Sequence, residues 1–133
     1  MALDIQVLTK VFKDYPGVQA VYLFGSHAAG TARPGSDIDL AIVPQDASVR
    51  EQRLEMLVDL TRAGLEQVDL VFLDTDDLVL LYEAVCHNHV LYQTPEFDRG
   101  VMYSYVIRRY FDFLPYLERQ RAAYKRRLLD DQA

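Results

Sequence analysis

A chain of 133 residues and 15.3 kDa has room for one domain and little more. Half of its residues are apolar and 26% are charged, which excludes a disordered chain. Fourteen basic against twenty acidic residues leave a net charge of −6 and a pI near 4.9, a balance that argues against a non-specific nucleic-acid binder. The charge is unevenly spread: residues 1–98 hold six basic and sixteen acidic side chains, whereas residues 99–127 hold eight basic and two acidic ones. The amino terminus lacks the basic region and unbroken apolar stretch of a secretory signal, and apolar runs such as Leu78 to Tyr82 are too short for a bilayer. The lone Cys86 cannot form an internal disulfide, which fits a cytoplasmic location. With no second ligand pair elsewhere, Cys86-His87-Asn88-His89 reads as solvent-facing histidines at a helix end rather than as a metal site.

In chain order, the apolar spacing of Leu3, Val7, Leu8, Val11 and Phe12 predicts a helix from Leu3 to Tyr15, ended by Pro16-Gly17. Val18 to Phe24 is β-rich and stops at Gly25; Ile38 to Val43 is a second short strand, ended by Pro44. Ala47 to Ala63 is an amphipathic helix with Gly64 at its carboxyl end, and Val68 to Leu73 is a third strand. The Asp74-Thr75-Asp76-Asp77 cluster offers caps for a helix from Leu78 to Cys86. After an extended piece at Val90 to Tyr92, Thr94-Pro95-Glu96 has the form of a helix start, and the helix it opens runs towards Leu128, bent near Pro115. The result is an α/β chain with a small sheet, read as one domain over residues 1–133, with a catalytic core at about 18–73 and a helical segment at about 94–128.

Chemistry concentrates between the first two strands. Gly25-Ser26 stands where a strand gives way to a short turn, so the backbone can approach a ligand closely, and exposed amides with the Ser26 hydroxyl suit a phosphate. Ten residues later comes Asp37-Ile38-Asp39. On a strand the two carboxylates share a face, roughly 7 Å apart, with Ile38 turned to the core. Such a pair repels itself unless cations bind, and hard oxygen donors beside phosphates suit Mg²⁺. Asp69 interrupts the apolar third strand; if that strand pairs with the second, three carboxylates converge, and two Mg²⁺ about 4 Å apart could clamp an in-line phosphoryl displacement. Asp69 could then also take the proton of an attacking hydroxyl.

Gly25-Ser26, ten residues, and Asp37-Ile38-Asp39 resemble the signature of the polymerase-beta-type nucleotidyltransferases, and within them the minimal nucleotidyltransferases that act as antitoxins to HEPN-domain toxins. The resemblance runs from about Val18 to Leu73. It implies a small mixed sheet with flanking helices, Mg²⁺ held by Asp37, Asp39 and Asp69, and ATP as co-substrate. Its phosphates would be bound around Gly25 and Ser26, with Arg33 and Ser36 in the same loop as further candidates. Many relatives carry Arg after the Gly-Ser pair where this chain has His27, and Arg33 is a candidate substitute for that charge. The implied reaction is transfer of AMP to a tyrosine hydroxyl of a HEPN ribonuclease toxin within a hetero-oligomer, with no membrane and no direct nucleic-acid contact. Two alternatives stay open: an antitoxin that neutralises by binding alone, and a nucleotidyltransferase acting on a small hydroxylated molecule.

Beyond Phe97, apolar residues from Val101 to Leu128 recur at three- and four-residue steps with basic residues between them. Most of this helix is expected to pack on the sheet. Its end, Arg119 to Leu128, is expected to project from a core too small to cover it and to offer an aromatic and arginine surface to a protein partner.

Overall fold

The computed structural model describes residues 5–33 and 35–131. Four strands form one mixed sheet in the order β3-β2-β1-β4: β1 (Val18–Phe24), β2 (Ile38–Pro44), β3 (Val68–Phe72) and β4 (Val90–Gln93). β1 lies antiparallel to both β2 and β4, and β2 runs parallel to β3. The connection between the parallel strands carries a 3₁₀ turn, Ala47–Gln52, and helix α3, Arg53–Arg62. Alternation along the strands separates two apolar layers. Val21, Leu23, Leu40, Ile42, Leu70 and Phe72 pack under α1 (Ile5–Phe12) and α3. On the opposite face Ala20, Tyr22, Phe24 and Ala41 pack under α4 (Leu78–Val85) and the first turns of α5 (Arg99–Asp131).

Several boundaries differ from those the sequence predicts. Leu3, in the predicted first helix, lies outside the described residues; the described helix closes at Phe12. The predicted helix over 47–63 opens as a 3₁₀ turn. Asp46 caps it through the Ser48 amide, and Val49 is drawn in over Gly17, where an added Cβ would lie 2.6 Å from Val49 Cγ2. Thr94-Pro95-Glu96 does not start the last helix. The Thr94 amide instead donates to Gln19 O, continuing the β1–β4 edge, and the cap falls to Asp98, whose carboxylate accepts from the Val101 amide at 3.1 Å. Phe97, left in the turn, packs edge-on against the buried Tyr22 ring.

α5 runs unbroken through Pro115 for 33 residues, past the Leu128 end expected for it, although proline withholds a helical donor from the carbonyl of Phe111. Val106 anchors the helix to the sheet with no exposed surface, and Tyr110 stacks on Tyr82 of α4 at 3.9 Å. Beyond Leu117 every described residue of α5 is exposed, including Tyr124, Leu128 and Leu129. Among the described residues no helix is long and apolar enough to cross a membrane.

Candidate active site

β1 delivers its last residue, Phe24, directly opposite Asp39 on β2. The chain then turns at once into the short helix α2 (Gly25–Ala29), closed by Gly30 in the left-handed conformation. Gly25 itself has φ +71°, and a Cβ there would fall 2.2 Å from Asp39 Oδ2. The glycine is therefore required twice, by its backbone and by the carboxylate seated against it. The Gly25-Ser26 amides and the Asp39 side chain are held as neighbours by this contact.

The parallel pairing of β2 with β3 sets the third acid. Asp39 and Asp69 are direct register partners, so both side chains leave the same face of adjacent strands. That face belongs to the α4–α5 layer, at the end of the sheet where β2 and β3 begin. The Ile38 amide donates to Gln67 O at 2.9 Å, and Gln67 adopts φ 57° immediately before β3, a conformation rare outside glycine. This bond ties the Asp-x-Asp segment to the start of β3. Asp37 stands one residue before β2 and is exposed; Ile38, between the acids, packs against the opposite apolar layer, as alternation requires.

The electrostatics follow from that crowding. Partial burial pushes the Asp39 carboxyl above the usual carboxylate range, the charges of Asp69 and Asp37 push it further, and His27 opposes them. Asp69 pairs with Arg53 at the start of α3, Nη2 to Oδ1 at 3.7 Å, both side chains about half exposed. His27 Nε2 lies 3.4 Å from the Ser36 carbonyl and so ties α2 to the loop that precedes Asp37. Arg33 and Ser36 form a turn of their own: the Arg33 amide donates to Ser36 Oγ and the Ser36 amide to Arg33 O, each at 2.9 Å. The Arg33 side chain is exposed. The sheet thus brings together Gly25, Ser26, Asp39 and Asp69, with Asp37 at their margin, whereas Arg33 and Ser36 sit on the connecting loop.

Two participants, Arg53 and the contacts of His27, are not visible in the sequence. The ion pair joins residues sixteen apart across an edge strand, and nothing local marks it.

Among the described residues no group of three or more His, Cys, Asp or Glu side chains forms a ready-made metal cage. The donor set nevertheless fits Mg²⁺, which binds through one or two carboxylates and completes its shell with water and substrate phosphate. Burial first, and then the charges of Asp69 and Asp37, disfavour the ionised Asp39 carboxylate, and a divalent cation between the acids relieves that repulsion.

The family model described as polymerase beta, nucleotidyltransferase, matches residues 6–97, from α1 through the turn after β4 and stopping short of α5. The chain is 35% identical over 97 residues to the protein adenylyltransferase MntA of Shewanella oneidensis, covering 72% of this chain and 70% of that protein. It superposes on a chain from a crystal structure of a toxin–antitoxin with AMP-PNP with a TM-score of 0.70 and 29% identity, covering 96% of this chain and 99% of the other. A chain from the complex of tri-AMPylated Shewanella oneidensis HEPN toxin with MNT antitoxin gives a TM-score of 0.64 and 26% identity, with 94% and 95% coverage.

Proposed function

The chain belongs to the polymerase beta-type nucleotidyltransferase family, and from that premise we propose that it transfers AMP from ATP to a tyrosine hydroxyl of a HEPN-type toxin, silencing it as an antitoxin. The observation that carries this reading is the register partnership of Asp39 and Asp69, with Gly25 closed against Asp39. Binding alone gives no reason to place like charges side by side at the mouth of a glycine turn.

In this reading the amides of Gly25 and Ser26 and the Ser26 hydroxyl hold the triphosphate, whose charge they meet at the start of α2. Arg33, exposed on the turn closed by Ser36, adds a cation on the phosphate side. Asp37, Asp39 and Asp69 would hold Mg²⁺, in the family's manner two ions; when bound, it neutralises phosphate charge and polarises the α-phosphorus. Asp69, on the outer strand, faces the acceptor and takes the hydroxyl proton as the acceptor oxygen bonds to the α-phosphorus. The bond from that phosphorus to the bridging oxygen breaks, and pyrophosphate leaves with its electron pair. Positioning and charge neutralisation are all the protein need supply, which suits so small a chain.

Residues 1–133 act as one domain in this proposal, with the free end of α5 as the docking arm for the toxin. Exposed Tyr116, Tyr124, Leu128 and Leu129 alternate there with Arg119, Arg121, Lys125, Arg126 and Arg127, a composition suited to a protein partner. The working compartment is the cytoplasm, where ATP and Mg²⁺ are supplied. Incubation with toxin and α-³²P-ATP should label the toxin, and γ-³²P-ATP should not. Label from γ-³²P-ATP would mean phosphorylation, and no label from either would leave only binding.

A further inference from the structure

The acid cluster contains a cation that the reaction above does not use. α3 covers the face of β3 that carries Leu70 and Phe72, yet Asp69 leaves the opposite face by strand alternation. Arg53, at the first residue of α3, therefore reaches round the exposed edge of the sheet to bring Nη2 within 3.7 Å of Asp69 Oδ1. Both side chains are half exposed, and a pair of that kind adds little to folding. One turn earlier Arg50 makes a different contact: its Nε donates to both oxygens of Asp74 at 2.8 and 2.9 Å, and its guanidinium lies over Phe72. Arg50 is thus a fixed structural pair at the far end of β3. Arg53 reaches the one acid of the three that the strand places at the open edge.

We infer that Arg53 is a resident counter-cation for Asp69, occupying the place of a metal charge in the idle chain and yielding it when metal binds. The inference rests on the metal reading given above. A guanidinium beside Asp69 offsets part of the repulsion among Asp37, Asp39 and Asp69, and it raises the cost of placing a second dication next to the first. Asp69 is then free to ligate only when an additional negative charge, that of the triphosphate, enters the cluster. Arg53 is a positioning residue in this sense: it acts through Asp69.

The test is direct binding of Mn²⁺ to the full chain without nucleotide, with free Mn²⁺ counted by electron paramagnetic resonance at about 0.1 M monovalent salt, where charges are screened within roughly 10 Å. Losing a half-exposed ion pair and the repulsion of one positive charge should tighten Mn²⁺ binding in Arg53→Gln by roughly three- to tenfold. Arg53→Lys, which keeps the charge, should stay within about twofold of wild type on the same grounds. In an Asp69→Asn background the Arg53→Gln gain should shrink, because the ion pair is already gone and only the repulsion of Arg53 from the remaining site is relieved. Arg50→Gln removes the same formal charge at the other end of β3, over Phe72 and roughly 10 Å or more from Asp69, about one screening length at that salt, and should change Mn²⁺ affinity by less than about twofold. Equal affinity of wild type and Arg53→Gln overturns the inference while leaving the metal site standing. An equal gain in Arg50→Gln overturns it as a general charge effect. Absence of Mn²⁺ binding in every variant overturns the metal reading and the inference with it.

Discussion

Gly25→Ala should remove transfer activity with only a modest loss of stability, because the new methyl group strikes the Asp39 carboxylate proposed to hold Mg²⁺. Its Cβ would stand 2.2 Å from Asp39 Oδ2 and 3.1 Å from Asp39 Cγ. Relief to an ordinary carbon–oxygen contact moves the carboxylate by roughly 1 Å. A displacement of about 1 Å in a group that positions reacting atoms costs on the order of 100-fold in rate. The backbone adds its own penalty: at φ +71° an L-residue loses about 1–2 kcal/mol, or about 4–8 °C in Tm for a domain of this size. Gly64 supplies the control, since it has φ +98° and nothing within 4 Å of its added Cβ. Gly64→Ala should lose similar thermal stability yet keep its rate. The assay is the initial rate of label transfer from α-³²P-ATP to the toxin, with Tm measured on the same preparations. If Gly25→Ala transfers within about threefold of wild type, or Gly64→Ala loses as much activity, the close fit of Gly25 against Asp39 does not matter to catalysis as argued.

Asp39→Asn should raise the Tm of the metal-free chain at neutral pH by about 1–3 °C while abolishing transfer, because the native chain destabilises the ionised form of Asp39. The sign follows from linkage. The folded carboxyl binds its proton more tightly than the unfolded one, so this group's stability cost appears as pH rises through its raised pKa. The Asn advantage should therefore shrink on acidification towards the ordinary carboxylate value; an advantage unchanged with pH would exclude charge repulsion as its source. Millimolar Mg²⁺ should raise the Tm of wild type more than that of Asp39→Asn, and equal shifts would place the ion elsewhere. Val106→Ala opens a cavity under the only fully buried residue among those described in α5, and should cost about 2 kcal/mol by denaturant unfolding. Truncation after Leu117 removes only exposed described residues; Tm should hold within about 1 °C, while co-elution with the toxin in size-exclusion chromatography is lost. A truncated chain that still co-elutes would move the docking surface off the part of α5 beyond Leu117.

The sequence shows its strands plainly because β-branched and apolar runs at 18–24, 38–43 and 68–73 are bounded by Gly25, Pro44 and Asp74. The Gly-Ser and Asp-x-Asp segments are legible as an ordered set, although either one alone is ordinary turn or strand chemistry. What the sequence did not contain was the pairing. Only the parallel register of β2 on β3 makes Asp39 and Asp69 neighbours, and a one-residue slip would have turned Asp69 to the α3 side. The start of α5 was misplaced for a related reason. Thr94-Pro95-Glu96 has the local chemistry of a helix start, but the Thr94 amide is spent on Gln19 of β1, a partner 75 residues away. The 3₁₀ turn at Ala47–Gln52 was likewise decided by burial of Val49 over Gly17 rather than by the amphipathic pattern of the segment. Local propensity located the elements, and long-range hydrogen bonds and packing chose their ends.

If the paired acids on β2 and β3 serve transfer of a nucleotide to a protein, intact mass spectrometry of the toxin will record it. After incubation of the toxin with wild-type chain, Mg²⁺ and ATP, the toxin should gain mass in AMP-sized steps, and Asp37→Ala or Asp39→Ala should leave its mass unchanged. A toxin neutralised by the wild-type chain with no gain in mass would rule out nucleotide transfer and leave the basic helix α5, rather than the acid cluster, as the agent of neutralisation.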